Sequence, residues 1–136
     1  MSGSQLSAAP LVVVSGRSML PLFYTGDLVV VFKPDPNNVR VGDVIVYRSL
    51  FGNLVIHRVI RVVNASPCNP VCFITKGDNN MLDDAMLGLQ PRVGVDYGDS
   101  FIGKVISVEV KIGVDKVQAP IKIPYLGVFS LLLHGG

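Results

Sequence analysis

The chain has no tryptophan, only two cysteines and few charges, with Lys, Arg, Asp and Glu together making up 16% of its 136 residues. Two cysteines are too few to build a structural zinc site, which usually takes four ligands, so no metal and no other cofactor is expected. There is no basic block, and a formal net charge of +2 spread along the chain gives no reason to expect nucleic acid as a partner. Long apolar runs are also missing. The longest are Leu11–Val14, Leu28–Phe32, Leu54–Val63 (interrupted by His57, Arg58 and Arg61) and Leu126–Leu133. Each falls short of the roughly 18–20 residues that cross a bilayer. The start, Met1-Ser2-Gly3-Ser4-Gln5, lacks a basic n-region and an apolar h-region, and so reads as a flexible leader or expression remnant rather than a signal peptide.

What is present is oily and full of turns. Apolar residues make up 49% of the chain and the mean hydropathy is +0.49, which suggests exposed apolar surface, such as a lipid-facing one. The length suits one domain with its own core. Gly (14) and Pro (9) punctuate a series of β-branched runs. Strands are expected over Leu11–Ser15, Leu28–Lys33, Val44–Arg48, Leu54–Val63, Val71–Thr75 and Ile102–Lys111. Short strands separated by turns predict a mainly β fold, an antiparallel β-barrel or sandwich with few short helices. Only Met19–Tyr24 and Tyr125–Leu133 look helical. The expected organisation is a leader over 1–10, a β-domain over 11–118 and an apolar C-terminal segment over 119–136, lying in a membrane interface, forming the stub of a second span, or packed on the sheet. Cys68 and Cys72 flank Asn69-Pro70-Val71. A disulfide pinning this excursion is the favoured reading, with two free thiols as the other.

The chemistry gathers at three places. Ser18 lies in Gly16-Arg17-Ser18-Met19-Leu20-Pro21, at a strand-to-turn junction. His57 lies inside the strand-like run Leu54–Ile60, and Lys76-Gly77-Asp78-Asn79-Asn80-Met81-Leu82-Asp83-Asp84 forms an acidic turn. A serine hydroxyl becomes a useful nucleophile when a base takes its proton. An imidazole, which ordinarily titrates near about pH 6.5, can do this at neutral pH. Plain alternatives exist for each: a turn serine, a half-buried strand histidine, and an Asp bonding its own backbone. Asp78 and Asp84 are both candidates for the acid that orients the base.

Five blocks in order resemble the catalytic domain of type I signal peptidases, in their archaeal and endoplasmic-reticulum form. They are Gly16–Pro21 with Gly26-Asp27-Leu28-Val29, then Val41–Tyr47, Val55–Ile60, Phe73–Asn80 with Asp83-Asp84, and Ile102–Val105. The resemblance implies a serine endopeptidase that removes signal peptides from preproteins after small residues of the Ala-x-Ala type. It implies Ser18 as nucleophile and His57 as base, where bacterial members carry a lysine. Asp84 would orient the histidine, and Asp78 would support the site structurally or electrostatically. The Ser18 N–H would be one oxyanion donor. The second is open, because Gly16 stands where many bacterial relatives have a serine; another backbone group or Ser15 remains. An extended substrate would run between Val12, Val14, Ser15 and Gly16 on one side and Leu54, Val55 and Ile56 on the other, with Met19 and Phe23 closing the first pocket, packing in the core, or both. Implied partners are preproteins, membrane lipid and a translocon or accessory subunits. The implied location is the cell membrane, with this domain on the extracytoplasmic or lumenal face. The membrane span that precedes the first strand in relatives is missing here, which suggests a truncated form. Two alternatives are a repressor-type self-cleaving protease, which uses a lysine in place of His57, and an inactive β-domain that binds extended peptides.

Overall fold

The computed structural model describes residues 11–124; the expected leader and the helical-looking Tyr125–Leu133 lie outside the described residues. Ten strands follow in chain order: β1 (Leu11–Val13), β2 (Leu28–Phe32), β3 (Val44–Arg48), β4 (Leu54–Val63), β5 (Cys72–Lys76), β6 (Val95–Asp96), β7 (Phe101–Val105), β8 (Ser107–Ile112), β9 (Asp115–Pro120) and β10 (Lys122–Ile123). All pairings are antiparallel. The main sheet has eight strands in the order β1-β2-β7-β3-β4-β5-β6, with β10 also on β2, while β8 and β9 form a separate hairpin. The fold is therefore mainly β and antiparallel, as expected, and sandwich-like rather than a closed barrel.

β3 explains how the sheet is buried. Its residues Val44, Ile45, Val46 and Tyr47 are all buried, and successive side chains on a strand point to opposite faces. Val44 and Val46 join a core with Val14, Met19, Phe23, Val31 and Ile56. Ile45 and Tyr47 join a second core with Val55, Val59, Phe73 and Phe101. A strand covered on both faces reads as a continuous apolar run, as this one does. β4 shares its first half with β3 (Val44↔Arg58 through Arg48↔Leu54) and its second half with β5, where a bulge shifts the register between Val59 and Arg61.

Two expectations give way to the structure. Met19–Tyr24 is a series of turns with one helix-like bond, Phe23 N–H to the Met19 carbonyl at 3.0 Å; a single such bond cannot offset the cost of nucleating a helix. The run Ile102–Lys111 is two strands. At Ile106 the N–H donates to the Val30 carbonyl and the carbonyl accepts from the Ile121 N–H, both at 2.9 Å, so the chain changes sheets there. Asp115–Pro120 and Lys122–Ile123 are strands that the local pattern does not announce. Cys68 and Cys72 are joined as a disulfide with Cα atoms 5.4 Å apart. Among the described residues no helix is long and apolar enough to cross a membrane.

Candidate active site

Ser18 sits in the turn that leaves β1. Gly16 takes φ +87°, a backbone region open to glycine. Thr25 clamps this turn from the side: its Oγ1 accepts from the Gly16 N–H and donates to the Gly16 carbonyl, each at 3.0 Å. Met19, 1% exposed, anchors the turn in the core. The acidic turn then docks onto the same backbone. The Asn79 N–H donates to the Ser18 carbonyl at 2.8 Å, the Asn79 side chain to the Arg17 carbonyl at 3.1 Å, and the Asp78 N–H to Met19 Sδ at 3.4 Å. Gly77 makes this approach possible, because a Cβ there would lie 2.6 Å from the Ser18 carbonyl oxygen.

His57 bridges the two regions. Its Nε2 is 2.8 Å from Ser18 Oγ, and its Nδ1 is 2.7 Å and 2.8 Å from the two Asp84 carboxylate oxygens. His57 is 4% exposed and Asp84 is fully buried. Two hydroxyls donate to Asp84 Oδ2: Tyr47 at 2.8 Å and Thr75 through a shorter bond. Burial, reinforced by the negative charge of Asp84, pushes the Tyr47 phenol well above its usual range, so it stays a proton donor. Asp78 has a different partner. It receives two bonds from the Arg58 guanidinium, at 2.8 Å each, while Arg58 Nη1 also donates to the Gly42 carbonyl at 2.7 Å. The hydrogen bond to Asp78 pushes the Arg58 guanidinium up despite partial burial. Of the two candidate acids, only Asp84 touches the imidazole.

An open cleft of about 470 Å³ exposes Ser18 and His57. Val12, Ser15, Val55 and Ile56 line it, together with Leu11, Val13, Val46, Asn53, Leu54, Asn80 and Leu89. Three expected wall residues are elsewhere: Val14, Met19 and Phe23 are buried in the core, where the turn tucks its apolar side chains beneath itself. Gly16 is not in the lining either, and its N–H is taken by Thr25. Leu54–His57 pair with β3 on one side, and β5 begins pairing only at Arg58. β1 pairs only with β2. Among the described residues, both strands therefore present an unpaired edge beside the cleft.

Residues 3–69 match the Peptidase S24-like family. Over 139 residues the chain is 32% identical to the signal peptidase complex catalytic subunit SEC11 of Tuber melanosporum, covering 93% of this chain and 74% of that protein. The chain belongs to this signal peptidase family. The SEC11 subunit of Scheffersomyces stipitis is 33% identical over 79% of this chain and 63% of its own length. The dog SEC11C subunit is 40% identical over 57% of this chain and 41% of its own length. These relatives are fungal and mammalian, so the archaeal half of the expected resemblance finds no support among them.

Within this family member the arrangement is chemically capable. With Nδ1–H directed at a carboxylate, Nε2 is left as the acceptor facing a hydroxyl. That is the order of groups needed to deprotonate a serine and hold the imidazolium that forms. Sequence reasoning missed Tyr47, Thr75, Arg58, Asn80 and Leu89. A signal existed for the first two: a hydroxyl inside a buried apolar strand needs a partner. No comparable signal marked Asn80 or Leu89, which reach the cleft through loop geometry.

Proposed function

We propose that this chain is the catalytic domain of a membrane-associated serine endopeptidase that removes N-terminal signal peptides after small residues of the Ala-x-Ala type. Ser18 is the nucleophile, His57 the general base and Asp84 the orienting acid. The observation that carries this reading is the unbroken hydrogen-bonded line from Asp84 through His57 to Ser18 on the wall of an open cleft. The substrate lies extended between the free edges of β1 and Leu54–His57, adding a strand to the sheet. Ser18 Oγ attacks the carbonyl carbon as Nε2 takes its proton. The imidazolium then protonates the departing amine, and water repeats the sequence on the acyl-enzyme. The Ser18 N–H and, from the cleft lining, Ser15 are the oxyanion donors. Asp78 serves by tying the acidic turn to Arg58 on β4. The relatives' names place them in a signal peptidase complex; by extension this domain works on preproteins at a lipid surface, on the extracytoplasmic or lumenal side, beside accessory subunits.

The repressor-type alternative needs a lysine within reach of Ser18 in place of His57. Lys76, which opens the acidic turn, is instead held by the Gly77 and Asn80 carbonyls at 2.9 and 2.6 Å. Lys33 donates to the Gly98 carbonyl and lies over the Tyr97 ring.

Cleavage of a preprotein carrying an Ala-x-Ala site tests the reading. Ser18→Ala, His57→Ala and Asp84→Ala are each expected to lower kcat by about 10⁴-fold or more. Asp78→Ala is expected to keep activity within about tenfold and to lose about 1 kcal/mol of stability with its partly exposed ion pair. Asp78→Ala dead and Asp84→Ala active would reverse the assignment, and undiminished cleavage by Ser18→Ala would end it.

A further inference from the structure

The Asp84 carboxylate is fully buried, and among the described residues no Lys or Arg pairs with it. A buried charge needs compensation from the groups around it. Here neutral hydroxyls supply it, one from each strand beside β4. Tyr47 on β3 is opposite Val55, and Thr75 on β5 is opposite Val59. Val55, His57 and Val59 alternate onto one face of β4, so the imidazole stands between the two hydroxyls. Both donate to the same oxygen, Oδ2. The direction of the Thr75 bond is fixed from behind. Gln90 Oε1 accepts from the Thr75 N–H at 3.0 Å, and Gln90 Nε2 donates to Thr75 Oγ1 at 3.3 Å, leaving the hydroxyl proton for Asp84. The Asp84 backbone is held too, its N–H on the Thr75 carbonyl at 2.8 Å.

We propose that Tyr47 and Thr75 are positioning residues of the reaction: their paired hydroxyls fix the Asp84 carboxylate so that it holds the His57 ring in line with Ser18. This rests on the reading of Ser18, His57 and Asp84 as the reacting set. Neither hydroxyl touches the substrate. Each acts by setting the plane of the carboxylate and by taking up part of its charge. If one is removed, the carboxylate turns more freely and more of its charge faces the ring. The first change slows the chemical step. The second favours the protonated ring, and a carboxylate with fewer donors is itself more easily protonated. Both shift the acid limb of the rate profile to higher pH. The remaining charged neighbours, Arg58 with Asp78 and Lys76 on its carbonyls, are left as they are.

The test is steady-state cleavage of an Ala-x-Ala peptide by the full chain in detergent, as a function of pH, for Tyr47→Phe, Thr75→Val and Thr75→Ser. Tyr47→Phe and Thr75→Val are each expected to lower kcat about tenfold with KM unchanged, the scale of one lost hydrogen bond to a charged group. Each is also expected to move the acid limb upward, and Thr75→Ser to restore both properties. Folded Tyr47→Phe and Thr75→Val proteins with wild-type kcat and an unmoved limb would overturn the proposal. So would a Thr75→Ser protein as impaired as Thr75→Val. If Tyr47→Phe does not fold, the Thr75 pair decides alone. Parallel Ser18→Ala and His57→Ala controls keep the two questions apart: if they remain active, the underlying reading fails, whereas inactive controls beside unaffected Tyr47 and Thr75 variants reject only the positioning role.

Discussion

Gly77 shows how much of the site depends on one missing side chain. The acidic turn reaches the Ser18 backbone because nothing projects from Gly77; an added Cβ would stand 2.6 Å from the Ser18 carbonyl and 2.7 Å from the Asn80 amide nitrogen. The Asn80 side chain can swing away, but the Ser18 backbone cannot move without disturbing Oγ. Gly77→Ala is therefore expected to cost about 1–3 kcal/mol in thermal unfolding and to lower kcat more than it raises KM, as followed by peptide cleavage. At this scale the sequence was informative about reactive side chains and silent about their supports. Ser18, His57 and Asp84 stand out as a nucleophile, a base and an acid in a β-rich chain. Composition and spacing do not separate Asp78 from Asp84, because both lie in one acidic turn; only the family resemblance favours Asp84. What separates them is that His57 and Arg58 are neighbours on β4 and so point to opposite faces, each taking one carboxylate.

Among the elements, β4 has the most varied duties. Its first half pairs with β3 and leaves its other edge beside the cleft, and its second half pairs with β5. Ile56 belongs to both the cleft lining and the core beneath it. Trimming it to alanine should deepen the cleft. Ile56→Ala is expected to relax the preference for alanine over valine next to the cut by about tenfold, as read from kcat/KM on a peptide panel; an unchanged preference would place the selecting wall elsewhere. The longer strands of the main sheet were legible because β-branched residues cluster between turn residues, whereas the two-residue β6 and β10 were not. The split at Ile106 was not, since the apolar alternation runs through it without a break and only the distant Val30 and Ile121 reveal the change of sheet. For Met19 and Phe23 the sequence leaves core packing and pocket closure both open, because a turn gives no period from which to judge which side chains face inward.

The molecule as a whole is organised around two cores that share β3, with Tyr47 reaching from one of them to Asp84. This ties global stability to alkaline pH. Below about pH 10 the Tyr47 phenol holds its proton in both the folded and unfolded chain, and its contribution is fully present. Above that, the unfolded chain releases the proton while the folded one keeps it, because burial raises the folded value. The unfolded state then binds fewer protons, so stability falls as pH rises, until the folded phenol ionises too. Between pH 9 and pH 11, the wild type is expected to lose about 1 kcal/mol more than Tyr47→Phe in urea unfolding; equal losses would show that the phenol does not resist ionisation. A different whole-molecule consequence comes from β2. Leu28 and Val29 pair with β1 on one flank and with β10 on the other, so the two ends of the described chain run side by side about 10 Å apart. Tension applied through either end is borne first by β2. His57, on β4, lies three strands further along the sheet, away from that load.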